Sequence, residues 1–222
     1  MPETQAQPQT EYVPAAGRHW LLPFYDLLTR LMGADRSRKV LVDQAACRPG
    51  DRVLDVGCGT GSLLIQLKQH QPAAEVTGLD PDPGALAIAR RKAERAGVAM
   101  QLDQGFAGEL PYADGTFHRV LSSLMYHHLR GPQKEQMLRE VRRVLKPGGS
   151  FHMLDFAGPG GERRGFIASH LHSHRALRDN DQERVLAALH AAGFSDARAT
   201  ARLPSLAGSL LIYHASVPGS AS

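Results

Sequence analysis

Apolar positions along the 222-residue chain change their spacing from segment to segment. In HWLLPFYDLLTRLMG, residues 19–33, Leu27, Leu28, Leu31 and Met32 recur at helical intervals and Gly33 supplies a stop. A second helix is expected over residues 36–47. The texture then changes. RPGD at residues 48–51 reads as a turn, and RVLDV at 52–56 as a short buried strand closed by glycines. Leu63, Leu64 and Leu67 return to helical spacing until Pro72; EVTGLD at 75–80 is a second strand, and residues 85–96 form another helix. The alternation continues through VAMQLD at 98–103, FHRVLS at 117–122 and SFHMLDF at 150–156. Before the last of these, a helix carries Met137, Leu138, Val141, Val144 and Leu145 on one stripe. Strands alternating with helices imply a parallel sheet covered on both faces.

The end of the chain reads differently. Val185, Leu186, Leu189 and Ala192 mark a helix ended by Gly193, after which residues 196–203 and 209–217 read as two strands joined by PSLAG, close enough to pair as a hairpin. The expectation is an α/β fold, one doubly wound domain over residues 48–217 whose sheet ends on an antiparallel strand. A helical cap over residues 18–47 and a tail over 1–17 precede it. No repeat at solenoid spacing is visible.

Composition narrows the class. The hydrophobic set makes up 42% of the residues, which excludes a disordered or collagen-like chain. Runs such as SLLIQL fall far short of the roughly 18 to 20 residues that a bilayer-spanning helix needs. The first ten residues lack the basic start and apolar core of a secretory signal, so a cytoplasmic protein without stable membrane insertion is expected. Two cysteines, Cys47 and Cys58, cannot build a disulfide framework or a four-thiolate zinc site. The net charge of +4 is spread among acidic residues, with no basic block longer than Arg90, Arg91 and Lys92, so nucleic acid is not an expected partner.

The densest chemical signal is VLDVGCGTG, residues 53–61, where the first strand hands over to a helix. Gly57, Gly59 and Gly61 permit a tight turn that a ligand can approach, and the helix start beyond offers unpaired N–H groups. Asp80 stands 23 residues after Gly57 at the end of the second strand, about where a carboxylate meets a ribose diol; a helix cap before Pro83 is its plainer reading. A dinucleotide enzyme shares both features. Its third glycine, however, belongs where this chain has Ser62, and LPYADGTF and VLKPGG are no part of that fingerprint.

Together VLDVGCGTG, VTGLDPDP, ELPYADGTFHRVLSSLMYHHL, LREVRRVLKPGGSFHMLDF and AAGFSD, spanning residues 52–196, resemble class I S-adenosylmethionine-dependent methyltransferases. The nearest group is that of the ubiquinone/menaquinone C-methyltransferase-like enzymes. The resemblance implies a Rossmann-like seven-stranded sheet with a reversed C-terminal strand, S-adenosylmethionine as cofactor and a small-molecule acceptor, in a monomer or homodimer. It puts the methionine end of the cofactor against Gly57, Cys58, Gly59 and Gly61, with Asp55 beneath the loop. Asp80 would hold the ribose, Pro81, Phe106 and Ala107 would meet the adenine, and Ser122 or Ser123 would line the cofactor. Family members usually place Asp or Asn where this chain has Phe106, and Asp where it has His118.

Methyl transfer to a nucleophile aligned with the sulfonium is mostly positioning, with a base required only if the nucleophile must lose a proton. Tyr126, His127 and His128 follow the fourth strand at the rim, where one histidine is expected to contact substrate. His128 is the alternative candidate for a buried structural role, with His127 the less constrained. Asp155 is a further candidate base or anchor. Trp20, Phe24 and Tyr25 could form an aromatic lid or simply pack on the sheet, and Arg163, Arg164, Arg175 and Arg178 could hold an anionic substrate or face solvent. His170, His172 and His174 do not share one helical face, so no metal is expected. The expected function is methyl transfer to carbon, oxygen or nitrogen of a small acceptor, an aromatic or quinol-like one preferred. A catalytically silent cofactor-binding regulator and a nicotinamide-dependent oxidoreductase are the alternatives.

Overall fold

The computed structural model describes residues 33–158, 180–205 and 208–219. The expected first helix with Trp20, Phe24 and Tyr25, and the segment holding Arg163, Arg164, Arg175, Arg178 and the three spaced histidines, lie outside the described residues.

Helix α1 (Ala34–Ala45) leads into β1 (Arg52–Val56), α2 (Ser62–His70), β2 (Glu75–Asp80), α3 (Pro83–Ala96) and β3 (Gln101–Gln104). Then follow β4 (Phe117–Ser123), a 3₁₀ turn (Tyr126–His128), α4 (Gly131–Val144), β5 (Leu145–Phe156), α5 (Gln182–Ala191), β6 (Ser195–Ser205) and β7 (Gly208–Ser216). The seven strands lie in the order β3-β2-β1-β4-β5-β7-β6. Pairing is parallel from β3 through β5, while β7 runs antiparallel to both β5 and β6. The reversed C-terminal strand and its hairpin are thus as expected.

Successive strand residues face opposite sides, and both sides are apolar. Leu54, Val120, Met153 and Leu211 join Met137, Leu138 and Val141 of α4 and Leu189 of α5 in one core. Val53, Leu121, Leu154 and Ile212 join Leu41 of α1, Leu64 and Leu67 of α2 and Leu86 of α3 in the other. Burial on two faces is why these strands read as continuous apolar runs.

Several element limits depart from the sequence reading for identifiable reasons. Helix α1 stops at Ala45 because Ala46 turns left-handed at φ 45°. Helix α3 begins at Pro83, since Asp82 caps it by accepting from the N–H groups of Gly84 and Ala85. At its far end Gly97 is left-handed and the Val98 N–H donates to the Ala93 carbonyl. Residue 98 therefore belongs to the cap, and β3 starts only at Gln101, paired with Thr77. Leu145, expected on a helical stripe, opens β5 instead and pairs with Phe117.

His118 sits at the irregularity between Phe117 and Arg119, where its Nδ1 accepts from the Arg52 N–H at 2.9 Å. It satisfies the first β1 amide just ahead of the Val53↔Arg119 pair, a structural task for a residue the sequence reading left without one.

The chain leaves β1 toward β2 and β3 on one side and returns to β4 and β5 on the other. The two directions part between β1 and β4, which makes the crevice outside their carboxyl ends the place for a ligand.

Candidate active site

One wall of the crevice is backbone. The β1–α2 turn is held down by the Gly57 and Cys58 N–H groups, which both donate to the Leu79 carbonyl, at 2.8 and 3.0 Å. The Gly59 N–H donates to Asp80 Oδ2 at 2.8 Å. Gly57, Gly59 and Gly61 take φ of 74°, 52° and 77°. A Cβ at Gly57 would stand 2.3 Å from Met125 Cγ, whereas one at Gly59 would meet nothing within 4 Å. Gly57 is thus required by close packing on Met125, two residues after β4. Gly59 faces the open side, where a ligand can come up to the backbone.

Asp80 is buried at 8% exposure, with Oδ1 accepting from the Asp82 N–H at 2.9 Å and Oδ2 from Gly59. The helix cap belongs to Asp82, so the plainer reading of Asp80 does not hold. Burial raises its pKa and the two amide bonds pull it back. A carboxylate has about four lone-pair positions, so acceptor capacity is left over.

Asp55, beneath the loop, is 1% exposed, and its Oδ1 has no hydrogen-bond partner among the described residues. Burial pushes its carboxyl up to about 7, with the Arg38 guanidinium opposing and the nearby Asp80 carboxylate adding to the rise. The Cys58 thiol is buried and raised by that burial and by Asp55 and Asp80, which makes it a space-filling group rather than a thiolate. Of the two serines ending β4, Ser122 donates its hydroxyl to the Val56 carbonyl at 3.0 Å, tying β4 to β1. Ser123 Oγ is buried with no partner among the described residues.

The segment after β3 is fixed from a distance. Gln104 Nε2 donates to the Pro81 carbonyl, and Phe106 is 48% exposed, the only large exposed hydrophobic among the described residues, with Ala107 packed behind on the core. Glu140 of α4 accepts from the Leu110 N–H at 2.8 Å, while Arg143 donates to the carbonyls of Leu110 and Tyr112 and to Asp114. Arg143 also binds Glu140 and holds that carboxyl below the usual range. Sequence reasoning saw LREVRRVLKPGG as a motif and missed this clamp, because the charged pair contacts a loop about 30 residues earlier.

The opposite wall is made of side chains. Leu124, left-handed at φ 57°, turns the chain out of β4 and starts the 3₁₀ turn. His127 Nδ1 then lies 2.7 Å from Asp155 Oδ1, and the His127 N–H donates to Asp155 Oδ2 at 3.1 Å. Asp155 also accepts from the Phe156 N–H at 2.6 Å and from Asn180 Nδ2 at 3.3 Å. Burial alone would raise this carboxyl; His127 and the amide donors outweigh it and hold Asp155 below the usual range. An ionised Asp155 therefore accepts the Nδ1–H of His127.

Of the two histidines it is His127, rather than the alternative His128, that takes the buried structural position. His127 is 1% exposed and bound to Asp155, whereas His128 is exposed, its ring 4.0 Å from that of His127. A 3₁₀ turn sends three consecutive side chains in different directions, and the sheet decides which one meets β5. Tyr126, expected at the substrate rim, is also 1% exposed and packs in the core beneath Lys134 Nζ, 4.7 Å from its ring. Among the described residues no group of three His, Cys, Asp or Glu side chains could hold a metal ion, and no helix is long and apolar enough to cross a membrane.

Comparison with known proteins agrees with this geometry. Residues 53–149 match the model of a methyltransferase domain. Among curated proteins, the chain is similar to demethylmenaquinone methyltransferase of Thermus thermophilus, 42% identical over 142 residues that cover 63% of this chain and 64% of the relative. The chain thus spans about three fifths of the length of the curated relatives it matches. Among solved structures, a methyltransferase dependent on S-adenosylmethionine from Aquifex aeolicus superposes with a TM-score of 0.69 at 18% identity, covering 90% of this chain and 98% of that one. The [4+2]-cyclase SpnF does so at 0.68 and 23% identity, covering 84% and 81%, so the fold alone does not name a reaction. From the glycine turn of β1 to the end of the α4–β5 junction, residues 53–149 are thus similar to a methyltransferase domain, on a fold shared with these solved structures.

Proposed function

We propose that the chain transfers a methyl group from S-adenosylmethionine to a small aromatic, quinol-like acceptor, at ring carbon or phenolic oxygen, with His127 as the base. The observation that carries this reading is the buried His127–Asp155 pair, 2.7 Å apart on the crevice wall facing the glycine turn. The name of the Thermus relative, a demethylmenaquinone methyltransferase, supports the acceptor class.

The cofactor fits the residues present. Gly59 leaves room above the turn, Asp55 Oδ1 and Ser123 Oγ are buried polar atoms awaiting a partner, and Asp80 keeps acceptor capacity for a ribose diol. When bound there, S-adenosylmethionine supplies a sulfonium-activated methyl group. Pro81, Phe106 and Ala107 would flank the base, Phe106 by ring packing where a carboxylate or amide is usual. Asp155 holds the proton of His127 on Nδ1, which directs Nε2 to take the acceptor's hydroxyl proton. The resulting oxyanion is nucleophilic at oxygen or at the ortho ring carbon; the methyl would pass to it as its bond to sulfur breaks and the neutral thioether leaves, and after attack through carbon the ring C–H proton is lost to restore the aromatic ring. His128, exposed beside His127, is the residue placed to meet the acceptor first. Arg163, Arg164, Trp20 and Tyr25 keep their expected lid roles as part of this proposal.

Calorimetric titration with S-adenosylmethionine, S-adenosylhomocysteine and NADH in parallel tests the cofactor, and turnover of a reduced short-chain 2-prenyl-1,4-naphthoquinol tests the acceptor. Micromolar binding of the first two without NADH is expected, with methylated naphthoquinol as product. Binding of NADH alone would overturn the methyl-transfer reading. A second reading, a cofactor-binding protein without turnover, is favoured by the 1% exposure of His127 and the exposed Phe106; tight cofactor binding with no methylated product from any acceptor offered would support it.

A further inference from the structure

Helix α4 breaks its own pattern at Lys134. Met137, Leu138 and Val141 lie three, four and seven residues further on, the spacing of a single buried face. Position 134 belongs to that face and carries a lysine that is only 5% exposed. Burying a lysine is costly unless its amine is well met. Its Nζ donates to Asn180 Oδ1 at 2.6 Å, and Asn180 Nδ2 in turn donates to Asp155 Oδ1. Asn180 is itself 1% exposed and stands just before α5, where its carbonyl accepts from the Gly158 N–H. Three elements distant in sequence, α4, the start of α5 and the end of β5, are thus joined by one buried chain of polar contacts ending at the His127 ring.

From this we propose that Lys134 and Asn180 are positioning residues, which fix the Asp155 carboxylate and through it the Nδ1–H tautomer and orientation of His127. Asparagine is suited to the link, since its oxygen takes the lysine and its amide nitrogen serves the carboxylate. Without it, Asp155 Oδ1 keeps its bonds from Phe156 and His127 but loses the donor that sets its rotation on the α5 side. The lysine amine lies beyond the asparagine and does not compete with His127 for Asp155 Oδ1. The Tyr126 ring lies beneath Lys134 Nζ, and burial and then the Asp155 charge raise the phenols of both Tyr126 and Tyr213. Both tyrosines are thereby kept neutral, leaving His127 as the proton acceptor of the cluster. The inference deepens the base assignment and rests on that reading for its catalytic consequence, but not for its structural one.

The test is the imidazole NMR of the full chain labelled with 15N-histidine, in wild type, Lys134→Met and Asn180→Ala, with Lys134→Arg as the conservative comparison. Wild type is expected to show a low-field His127 Nδ1 proton that exchanges slowly with water. In Lys134→Met and Asn180→Ala it should move upfield and exchange about tenfold faster or more, with Lys134→Arg intermediate. Turnover of the naphthoquinol should fall roughly tenfold in kcat while KM for S-adenosylmethionine stays put. In an Asp155→Asn background, Lys134→Met should have no further effect. An unchanged His127 resonance in either folded variant overturns the proposal whether or not turnover is seen. A changed resonance together with full turnover by His127→Gln leaves the positioning role standing and removes the base assignment instead. Should Lys134→Met fail to fold, Asn180→Ala and Lys134→Arg carry the same comparison.

Discussion

The two walls of the crevice achieve a fixed shape by opposite means. On the β1–β2 side, positive-φ glycines and backbone N–H groups make the surface, and the few carboxylates present serve mainly to tie that backbone down. On the β4–β5 side, the backbone only delivers side chains, and the shape depends on a buried polar chain from Lys134 to His127. A backbone surface suits a ligand that never varies, because N–H directions are set by the turn. A side-chain surface can be retuned for an acceptor by changing one residue. On the proposed reading, the first wall serves the cofactor and the second the acceptor.

Gly57→Ala should break the first wall outright. The new Cβ would lie 2.3 Å from Met125 Cγ at a φ that disfavours side chains, so a loss of roughly 2 to 4 kcal/mol in urea unfolding is expected, together with loss of S-adenosylmethionine binding. Gly59→Ala, with nothing within 4 Å of its Cβ, should instead fold and lose chiefly cofactor affinity. Equal unfolding penalties for the two would erase the distinction between packing glycine and ligand-facing glycine.

Asp55→Asn sharpens the comparison through pH. The folded carboxyl titrates near 7, so the native state binds more protons than the unfolded chain between about pH 4 and 7. Stability from this group is therefore complete below the ordinary carboxylate range and lost as pH rises through about 7. Replacing it by asparagine should stabilise the protein by roughly 1 to 4 kcal/mol at pH 8 and leave it nearly unchanged at pH 4. Thermal unfolding across that range would show it, and a variant less stable than wild type at pH 8 would rule out a strained carboxylate.

Phe106→Asp is expected to have the smallest effect. On the proposed reading of the site it puts an acceptor beside the adenine from an exposed position, so cofactor affinity should rise by about 1 kcal/mol with folding unaffected. Weaker binding would show that the ring packing proposed for Phe106 contributes more than the acceptor that replaces it.

Much of the first wall was legible along the chain because its signals are local. Glycine spacing, an acidic residue at the next strand end and the change from alternating to helical periodicity each span a few residues. The exact limits of α3 and β3 were less so, since Asp82 and Gly97 cap the helix three and four residues beyond the ends of its buried stripe. The second wall was legible only as a list of residue types. Tyr126, His127 and His128 were all named from the sequence, but which of the two histidines is buried was left open, and Lys134 and Asn180 were not singled out at all. The one available signal was a lysine on the apolar stripe of α4, an anomaly that points inward only once burial is known.

The sequence by itself determined the α/β alternation, the reversed C-terminal hairpin and the glycine turn, because side-chain periodicity and glycine's freedom at positive φ act within a turn or a strand. Tertiary structure decided which histidine meets Asp155, which serine is spent on β1, and that Lys134 reaches Asn180. Those partners lie 28, 66 and 46 residues apart, and only the order of strands in the sheet brings them within hydrogen-bonding distance.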